Sequence, residues 1–277
     1  MFKWNCDLSL FKNATVVIPT ISVANVAQLT VDLLITNTSA KRVGSVWSRA
    51  FIPYVGMDSF DDSLDSQTKD LSCMIELYQT ASDILIFQIR SPYANKFDIK
   101  ACVRELVDTL KGLEVKRLLV LTAVYDHCRL PLELDDKSSA AEFRYIESPE
   151  FHNQHHQEIE HLPLKQYLQG SRLSEATSSN PYCLKHCGTG FAHDLLSACV
   201  ERQLPAVVFL SFTSDGFNNM LAVKFFRLIS TWLPLSIGER VLFPHSWKFL
   251  TGQPDRLMNR DFNRHFDVGD DLQFLKC

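Results

Sequence analysis

Histidine and cysteine side chains gather in two places where they could bind a metal ion. The two groups comprise His152, His155, His156 and His161, followed by Cys183, His186 and Cys187. Structural zinc sites normally combine two well-spaced ligand pairs, such as C-x2-C with H-x3-H. Neither group has that form, so we predict no metal site and interpret the histidines as solvated loop residues.

A glycine pair and an Asp-Gly pair are the other positions where chemistry could occur. Gly188-x-Gly190 precedes a predicted helix and could offer backbone N–H groups to an anion. The dinucleotide fingerprint needs a third glycine, but His193 stands there, and no P-loop lysine follows. Asp215-Gly216 follows a predicted strand, where α/β enzymes carry catalytic groups, but Asp-Gly is also a common turn. Since the sequence has no G-x-S-x-G elbow either, we predict no catalytic residue and no cofactor.

The segment 217–233 is a candidate for binding another protein. Its apolar residues cover more than one face of a predicted helix. Such a helix is either deeply buried or partly covered by another chain, and both interpretations stay open. Phe225 and Trp232 are the candidate partner-binding residues here, because aromatic side chains are favoured at interface cores.

The composition is that of an ordinary globular protein. Hydrophobic residues make up 46% and charged residues 22%. The formal net charge of -4 provides no basic surplus for phosphates, so we expect no nucleic-acid binding. No uninterrupted apolar run reaches the roughly 18 residues that span a bilayer, and the first residues lack a signal core. We therefore expect no membrane partner, an intracellular chain, and eight cysteines that remain reduced thiols.

Predicted strands and helices alternate along the chain. Continuous apolar runs at 15–19, 84–89, 117–122 and 205–212 predict buried strands, with further strands at 43–47, 51–55 and 71–78. Helical patterns cover 24–35, 97–111, about 190–202 and 217–233. This alternation predicts an α/β, three-layer fold with a largely parallel central sheet.

We predict a single domain over residues 1–277, with two irregular regions. Periodicity is lost over 125–182, which contains the His-rich run 151–161 and is interpreted as a loop excursion with a short strand at 143–146. Loop insertions are well tolerated, so the His-rich run is predicted to be dispensable. Residues 251–277 are predicted to form an irregular C-terminal tail.

Several segments resemble the proteasome assembly chaperone 2 family. Ile18-Pro19 precedes S-V-A-N-V-A-Q-L at 22–29 and D-L-L-I at 32–35, which is similar to the family's V-G-N-V-G-Q-L-type helix start. Ala24 and Ala27 stand where the family carries glycines, a departure that we expect to favour helix. Later segments with the same likeness include Pro53-x-Val55-Gly56, Asp215-Gly216-x-Asn218 and Ser246-Trp247-x-x-Leu250.

The resemblance implies a non-enzymatic chaperone that forms a heterodimer with proteasome assembly chaperone 1. That pair would bind proteasome α-subunits, promote the α-ring of the 20S core particle and prevent off-pathway ring dimers, in the cytoplasm and nucleus. The resemblance also implies a fold related to purine nucleoside phosphorylase-like domains without their catalytic groups. The alternatives are an α/β enzyme of the nucleoside-processing or hydrolase type, and an interaction module with another client.

The last residues are candidates for docking on the α-ring. The family likeness implies a tail that ends in a hydrophobic residue, a tyrosine and any residue, with its carboxylate meeting a lysine between α-subunits. Phe274, Leu275 and Cys277 are the candidate tail contacts, and Leu275 fits the hydrophobic position. Lys276 stands where tyrosine is expected and cannot supply its aromatic packing. We therefore expect a weak contribution from the tail.

Overall fold

The computed structural model describes residues 2–60, 71–129, 141–167, 188–235, 237–238 and 240–247. The strands are β1 (Phe2–Asn5), β2 (Thr15–Pro19), β3 (Lys41–Ser48), β4 (Val55–Met57), β5 (Leu71–Cys73), β6 (Ile75–Gln79), β7 (Ile84–Ile89), β8 (Arg117–Tyr125), β9 (Phe143–Glu147), β10 (Lys165–Gln166) and β11 (Ala206–Thr213). The helices are α1 (Val26–Asn37), α2 (Lys96–Gly112), α3 (Pro149–Ile159), α4 (Ala192–Arg202) and α5 (Asn219–Trp232).

The central sheet has nine strands within the described ranges, in the order β1-β3-β6-β7-β2-β8-β11-β9-β10. The four middle strands, β7, β2, β8 and β11, run parallel to one another. Their continuous apolar runs fit this position, because a strand covered by helices on both faces has no polar face. On the flanks, β1, β3 and β6 pair antiparallel, and β9 pairs antiparallel with β11. At the edge, β10 pairs parallel with β9. The sheet is therefore mixed, and the prediction of a largely parallel sheet is correct for its centre and this edge pair.

Helices cover both faces of the sheet, which confirms the predicted three layers. α1, α3 and α5 belong to one apolar core with the side chains of one sheet face. α2 and α4 pack on each other over the opposite face. α2 buries the apolar face that its sequence pattern predicts, and the side chain of its N-cap residue Asn95 accepts hydrogen bonds from the N–H groups of Phe97 and Asp98.

The described parts of the region 125–182, residues 125–129 and 141–167, contain more secondary structure than a loop excursion. β9 confirms the predicted short strand, and it is followed by α3 and β10. The His-rich run is therefore helical, with Phe151 and Ile159 buried against the sheet. This corrects the interpretation of its histidines as solvated loop residues. Residues 130–140 and 168–182 of the predicted excursion lie outside the described residues, as do the group of Cys183, His186 and Cys187 and the predicted tail at 251–277.

The local sequence explains why α3 forms. The hydroxyl of Ser148 accepts a hydrogen bond from the N–H of Phe151 at 3.2 Å, Pro149 occupies the first turn and Glu150 is acidic there. Phe151, His155 and Ile159 recur every four residues and share one face of the helix.

The prediction of a strand at 51–55 is wrong, since Phe51 makes only an isolated bridge to Tyr93 and β4 begins at Val55.

The five described cysteines are free thiols. Cys73, Cys102 and Cys199 are buried as small apolar residues. Among the described residues, no helix is both long and apolar enough to cross a membrane. The prediction of a single domain stays a prediction.

Candidate interaction surface

The crevice at the carboxyl ends of the parallel strands is filled by the chain itself. In open α/β sheets, ligands bind where neighbouring strands lead in opposite directions, and here this point lies between β2 and β8. The hydroxyl groups of Thr20, just after β2, and Thr122, within β8, lie 2.8 Å apart, and each is 3.0 Å from the carbonyl oxygen of Thr189. All three residues are buried. Their hydrogen bonds occupy the place that a small molecule takes in enzymes of this architecture.

The glycine pair at 188 and 190 has a structural reason. Both residues have positive φ, at 101° and 59°. A Cβ on Gly190 would lie 2.5 Å from the carbonyl oxygen of Ile21, a contact that other residues cannot make. The N–H of Val23 donates to the carbonyl of Gly188 at 2.8 Å. The turn therefore ties the start of α4 to the loop after β2, which accounts for these glycines without an anion.

Asp215 and Gly216 form a turn between β11 and α5. Gly216 has a φ of 131°, which favours glycine. The side-chain amide of Asn218 donates to the carbonyl oxygens of Ser214 and Gly216, at 2.9 and 3.1 Å. Asp215 is exposed. These contacts agree with the interpretation that Asp215-Gly216 forms a turn.

The polar face of α1 packs on the end of β7. The side-chain amide of Gln28 donates to the backbone carbonyl of Ile89 at 3.1 Å, and the side-chain amide of Gln88 donates to the carboxylate of Asp32. Arg90 pairs with the same carboxylate at 2.9 Å. Burial lowers the pKa of Arg90, but the Asp32 carboxylate outweighs it and raises that pKa. Gln28 and Asp32, which belong to the family-like pattern of α1, therefore make hydrogen bonds and an ion pair within the fold.

Ala24 does not behave as predicted. Its φ is 54°, in the left-handed region that glycine adopts readily, and Asn25 follows with the same angle. An alanine in this region costs about 1–2 kcal/mol relative to a right-handed conformation. The replacement of the family's glycine therefore strains the entry to α1, and the expectation that it favours helix is wrong at this position.

Phe225 and Trp232 lie in the interior. Phe225 is fully buried, and its ring stacks on Phe143 with the centroids 5.1 Å apart. Trp232 packs against Phe151 and Phe209, and the guanidinium of Arg117 lies 4.8 Å from its ring. Of the two open interpretations of this helix, deep burial is the one that the fold adopts. This corrects the prediction that these two residues contact a partner directly.

Large exposed apolar side chains occur instead on the β4–β5 ribbon. We call Ile52, Tyr54, Val55, Met57 and Leu71 the ribbon surface; the last three are 60%, 66% and 58% exposed. Met57 pairs directly with Leu71, and Val55 is two residues before Met57, so all three side chains share one face of the ribbon. Arg42 donates to the carbonyl of Leu71 at 2.9 Å and pairs with the buried carboxylate of Glu76 at 3.1 Å, which holds the ribbon on the sheet.

Sequence reasoning missed this surface because it read 51–55 as an ordinary strand. The signal was Val55 and Met57 on either side of Gly56, next to a break in the strand pattern. Exposure, however, depends on what lies above the ribbon, and no short window of sequence contains that information. Two further exposed aromatic residues, Phe97 and Phe217, lie at the starts of α2 and α5. The predicted tail contacts Phe274, Leu275 and Cys277 lie outside the described residues.

A three-layer α/β protein with a filled crevice and an exposed apolar ribbon has the features of a protein-binding molecule. Exposed patches of this kind mark sites of association in soluble proteins. The chain belongs to the PAC2 family, whose model matches residues 16–224.

Named relatives and a solved structure agree with this family. The chain is 26% identical over 248 residues to proteasome assembly chaperone 2 of Homo sapiens, covering 86% of this chain and 91% of that protein. It is 28% identical over 250 residues to the protein of the same name from Danio rerio, covering 87% and 93%. Its fold is similar to that of Pyrococcus furiosus PbaA, an archaeal homolog of proteasome-assembly chaperone, with a TM-score of 0.63, 15% identity and coverage of 100% and 99%. The predicted likeness to purine nucleoside phosphorylase-like domains stays a prediction.

Proposed function

We propose that this chain is an assembly chaperone of the 20S proteasome and has no catalytic activity. It acts as a heterodimer with proteasome assembly chaperone 1, in the cytoplasm and the nucleus. The pair binds α-subunits, promotes the formation of the α-ring and prevents off-pathway ring dimers. Membership of the PAC2 family and the names of its relatives support this role. The filled crevice between β2 and β8 supports the absence of catalysis.

The observation that carries the proposal is the ribbon surface. Val55, Met57 and Leu71 expose more than half of their side chains on one face of a two-stranded ribbon. Burial of apolar area contributes about 25 cal/mol per Å², so covering such a face stabilises a complex. The contacts of Arg42 with the carbonyl of Leu71 and with Glu76 hold one strand of the ribbon on the sheet and lower the ordering cost of binding. We assign this surface to the contact with proteasome assembly chaperone 1.

The proposal also predicts how the isolated chain behaves. An uncovered apolar surface promotes self-association, and a partner that covers it restores solubility. Expressed alone, the chain should form soluble oligomers or precipitate, and co-expression with a proteasome assembly chaperone 1 homologue should yield a one-to-one complex. Size-exclusion chromatography with light scattering separates these outcomes.

Affinity purification of the full chain from its own cells, followed by mass spectrometry, tests the function. We expect proteasome assembly chaperone 1 and α-subunits, with few β-subunits. Native gels of cells lacking the protein should show fewer α-rings and more ring dimers. A purification that contains neither α-subunits nor the partner chaperone would contradict the proposed function.

A further inference from the structure

Glu147, His152 and His156 meet at the junction of β9 and α3. Nδ1 of His152 lies 2.9 Å from Oε1 of Glu147, and Nδ1 of His156 lies 3.1 Å from Oε2. One donor atom from each of the three residues lies within 4.8 Å of the other two. The rings of His152 and His156, one helical turn apart, have centroids separated by 4.5 Å. This trio is distinct from the ribbon surface and from the filled crevice.

The helix selects two of the four histidines for this cluster. Residues four positions apart lie on the same face of a helix, which brings His152 and His156 together. His155 points elsewhere, since its Nδ1 lies 2.9 Å from the carboxylate of Glu158 and its ring contacts Phe151. Burial of Phe151 and Ile159 fixes the rotation of α3 and keeps the pair directed toward the end of β9.

Charge and exposure at the trio fit a divalent cation. The carboxylate side chain of Glu147 is only 7% exposed, and buried carboxylates are normally paired with cations or bound to metals. Its partners here are imidazoles, which are ordinary metal ligands when neutral. His152 is 59% exposed, so one side of the cluster is open to solvent.

We propose that Glu147, His152 and His156 form a Zn²⁺ site that fastens α3 to the end of β9. Two imidazole nitrogens and one carboxylate oxygen are a ligand set that zinc uses, with solvent in a fourth position. Zinc–ligand bonds of about 2.0–2.1 Å place tetrahedral ligands roughly 3.3 Å apart, close to the nitrogen–oxygen distances in this cluster. An ion at this point neutralises Glu147 and replaces two hydrogen bonds by coordinate bonds.

The sequence pattern could not reveal this site. His152-x3-His156 supplies one ligand pair, but the third ligand, Glu147, belongs to the preceding strand and comes into reach through the turn at Ser148. The rule of two ligand pairs describes closed structural sites, whereas this site has three protein ligands and an open position.

Zinc titration of the full chain tests the proposal. The protein is stripped with a chelator, and Zn²⁺ is added in competition with a chromophoric chelator. We expect one strong site per chain, with a dissociation constant of about 1 µM or tighter. The His152→Gln/His156→Gln double variant should bind at least roughly 100-fold more weakly, because loss of an outer-shell partner alone costs 10–100-fold. His161→Gln, an exposed histidine outside the trio, is the matched control and should bind as the parent does.

Two further readouts keep the outcome interpretable. The Co²⁺ derivative should lack a sulfur-to-metal charge-transfer band, which separates this site from one made by cysteines. Saturating Zn²⁺ should raise the Tm of the parent chain by roughly 5 °C, and this shift should vanish in Glu147→Gln, which retains the shape of the side chain. Absence of strong zinc binding by the parent, binding unchanged in the double variant, or a thiolate band would each overturn the proposal.

Discussion

Helix α5 and the ribbon surface are both rich in large apolar side chains, but the fold uses them differently. In α5, Phe225 and Trp232 lie between the sheet, α1 and α3, and their partners are other side chains of this molecule. On the ribbon, Val55, Met57 and Leu71 face outward. An apolar residue therefore indicates binding to another chain only when the molecule's own layers leave it uncovered.

The difference also separates two kinds of energetic effect. A substitution in α5 removes contacts made within the folded chain, so it acts on the free energy of unfolding. A substitution on the ribbon surface removes contacts that form only in a complex, so it acts on the free energy of association. Variants of the two regions should thus change different measurements.

The largest effect is expected from the region that packs under α5. Deletion of residues 151–161 removes Phe151 and Ile159 from the core that α5 completes, together with the ion pair between Glu158 and Arg117. We expect a loss of more than about 5 kcal/mol, enough to unfold an ordinary domain. Soluble yield and circular dichroism measure this. This expectation replaces the prediction from sequence that residues 151–161 are dispensable. A deletion variant that still folds would support the earlier prediction instead.

Truncation of Phe225 should have the next largest effect. Phe225→Ala leaves a cavity beside Phe143 and should lower the free energy of unfolding by about 3–5 kcal/mol. Met220→Ala, on the same helix but 36% exposed, is the control and should cost about 1 kcal/mol or less. Urea denaturation measures both. Equal costs for the two variants would mean that α5 is not held in the core.

A charge on the ribbon should give the opposite profile. Met57→Glu should change the free energy of unfolding by about 0.5 kcal/mol or less, since the side chain is exposed. The same variant should weaken binding to proteasome assembly chaperone 1 by about 2 kcal/mol, because a central apolar contact is replaced by a charge. Phe97→Glu places the same charge at an exposed aromatic residue outside the ribbon surface and should leave binding unchanged. If both variants bind normally, the ribbon is not the contact.

The smallest effect is expected at the C-terminus. Removal of the last three residues should weaken binding to the α-ring by less than about tenfold, or roughly 1.4 kcal/mol, because Lys276 stands where the family likeness implies a tyrosine. Lys276→Tyr is the informative partner variant and should strengthen binding. A hundredfold loss on truncation would show that the tail is a principal contact.

Parts of this fold follow directly from short sequence windows. Local sequence predicts β2, β7, β8 and β11 from their apolar runs and α2 from its periodic apolar face. Elements buried in a three-layer fold need apolar residues at their buried positions, so their patterns are clear. The failures have equally physical causes. Histidines interrupted the apolar face of α3, although Ser148-Pro149-Glu150 signalled its start.

The candidate sites depend on contacts between distant segments. Burial of Phe225 requires α1, α3 and the sheet to be in place, and exposure of Met57 requires that no other described segment covers it. The trio of Glu147, His152 and His156 joins a strand to a helix across a turn. Patterns within one element identify its inner face, but not whether another element of the same chain covers it.

Hydrogen–deuterium exchange compares the two regions in one measurement. Backbone amides are followed by mass spectrometry in the isolated chain, kept dilute enough to remain monomeric, and in its complex with proteasome assembly chaperone 1. We expect the amides of residues 52–57 and 71–73 to exchange at least about tenfold more slowly in the complex, while those of α5, already protected by the core, keep their rates. A stable complex in which the ribbon exchanges at its free rate, or in which α5 alone becomes protected, would contradict the assignment of the ribbon surface as the binding site.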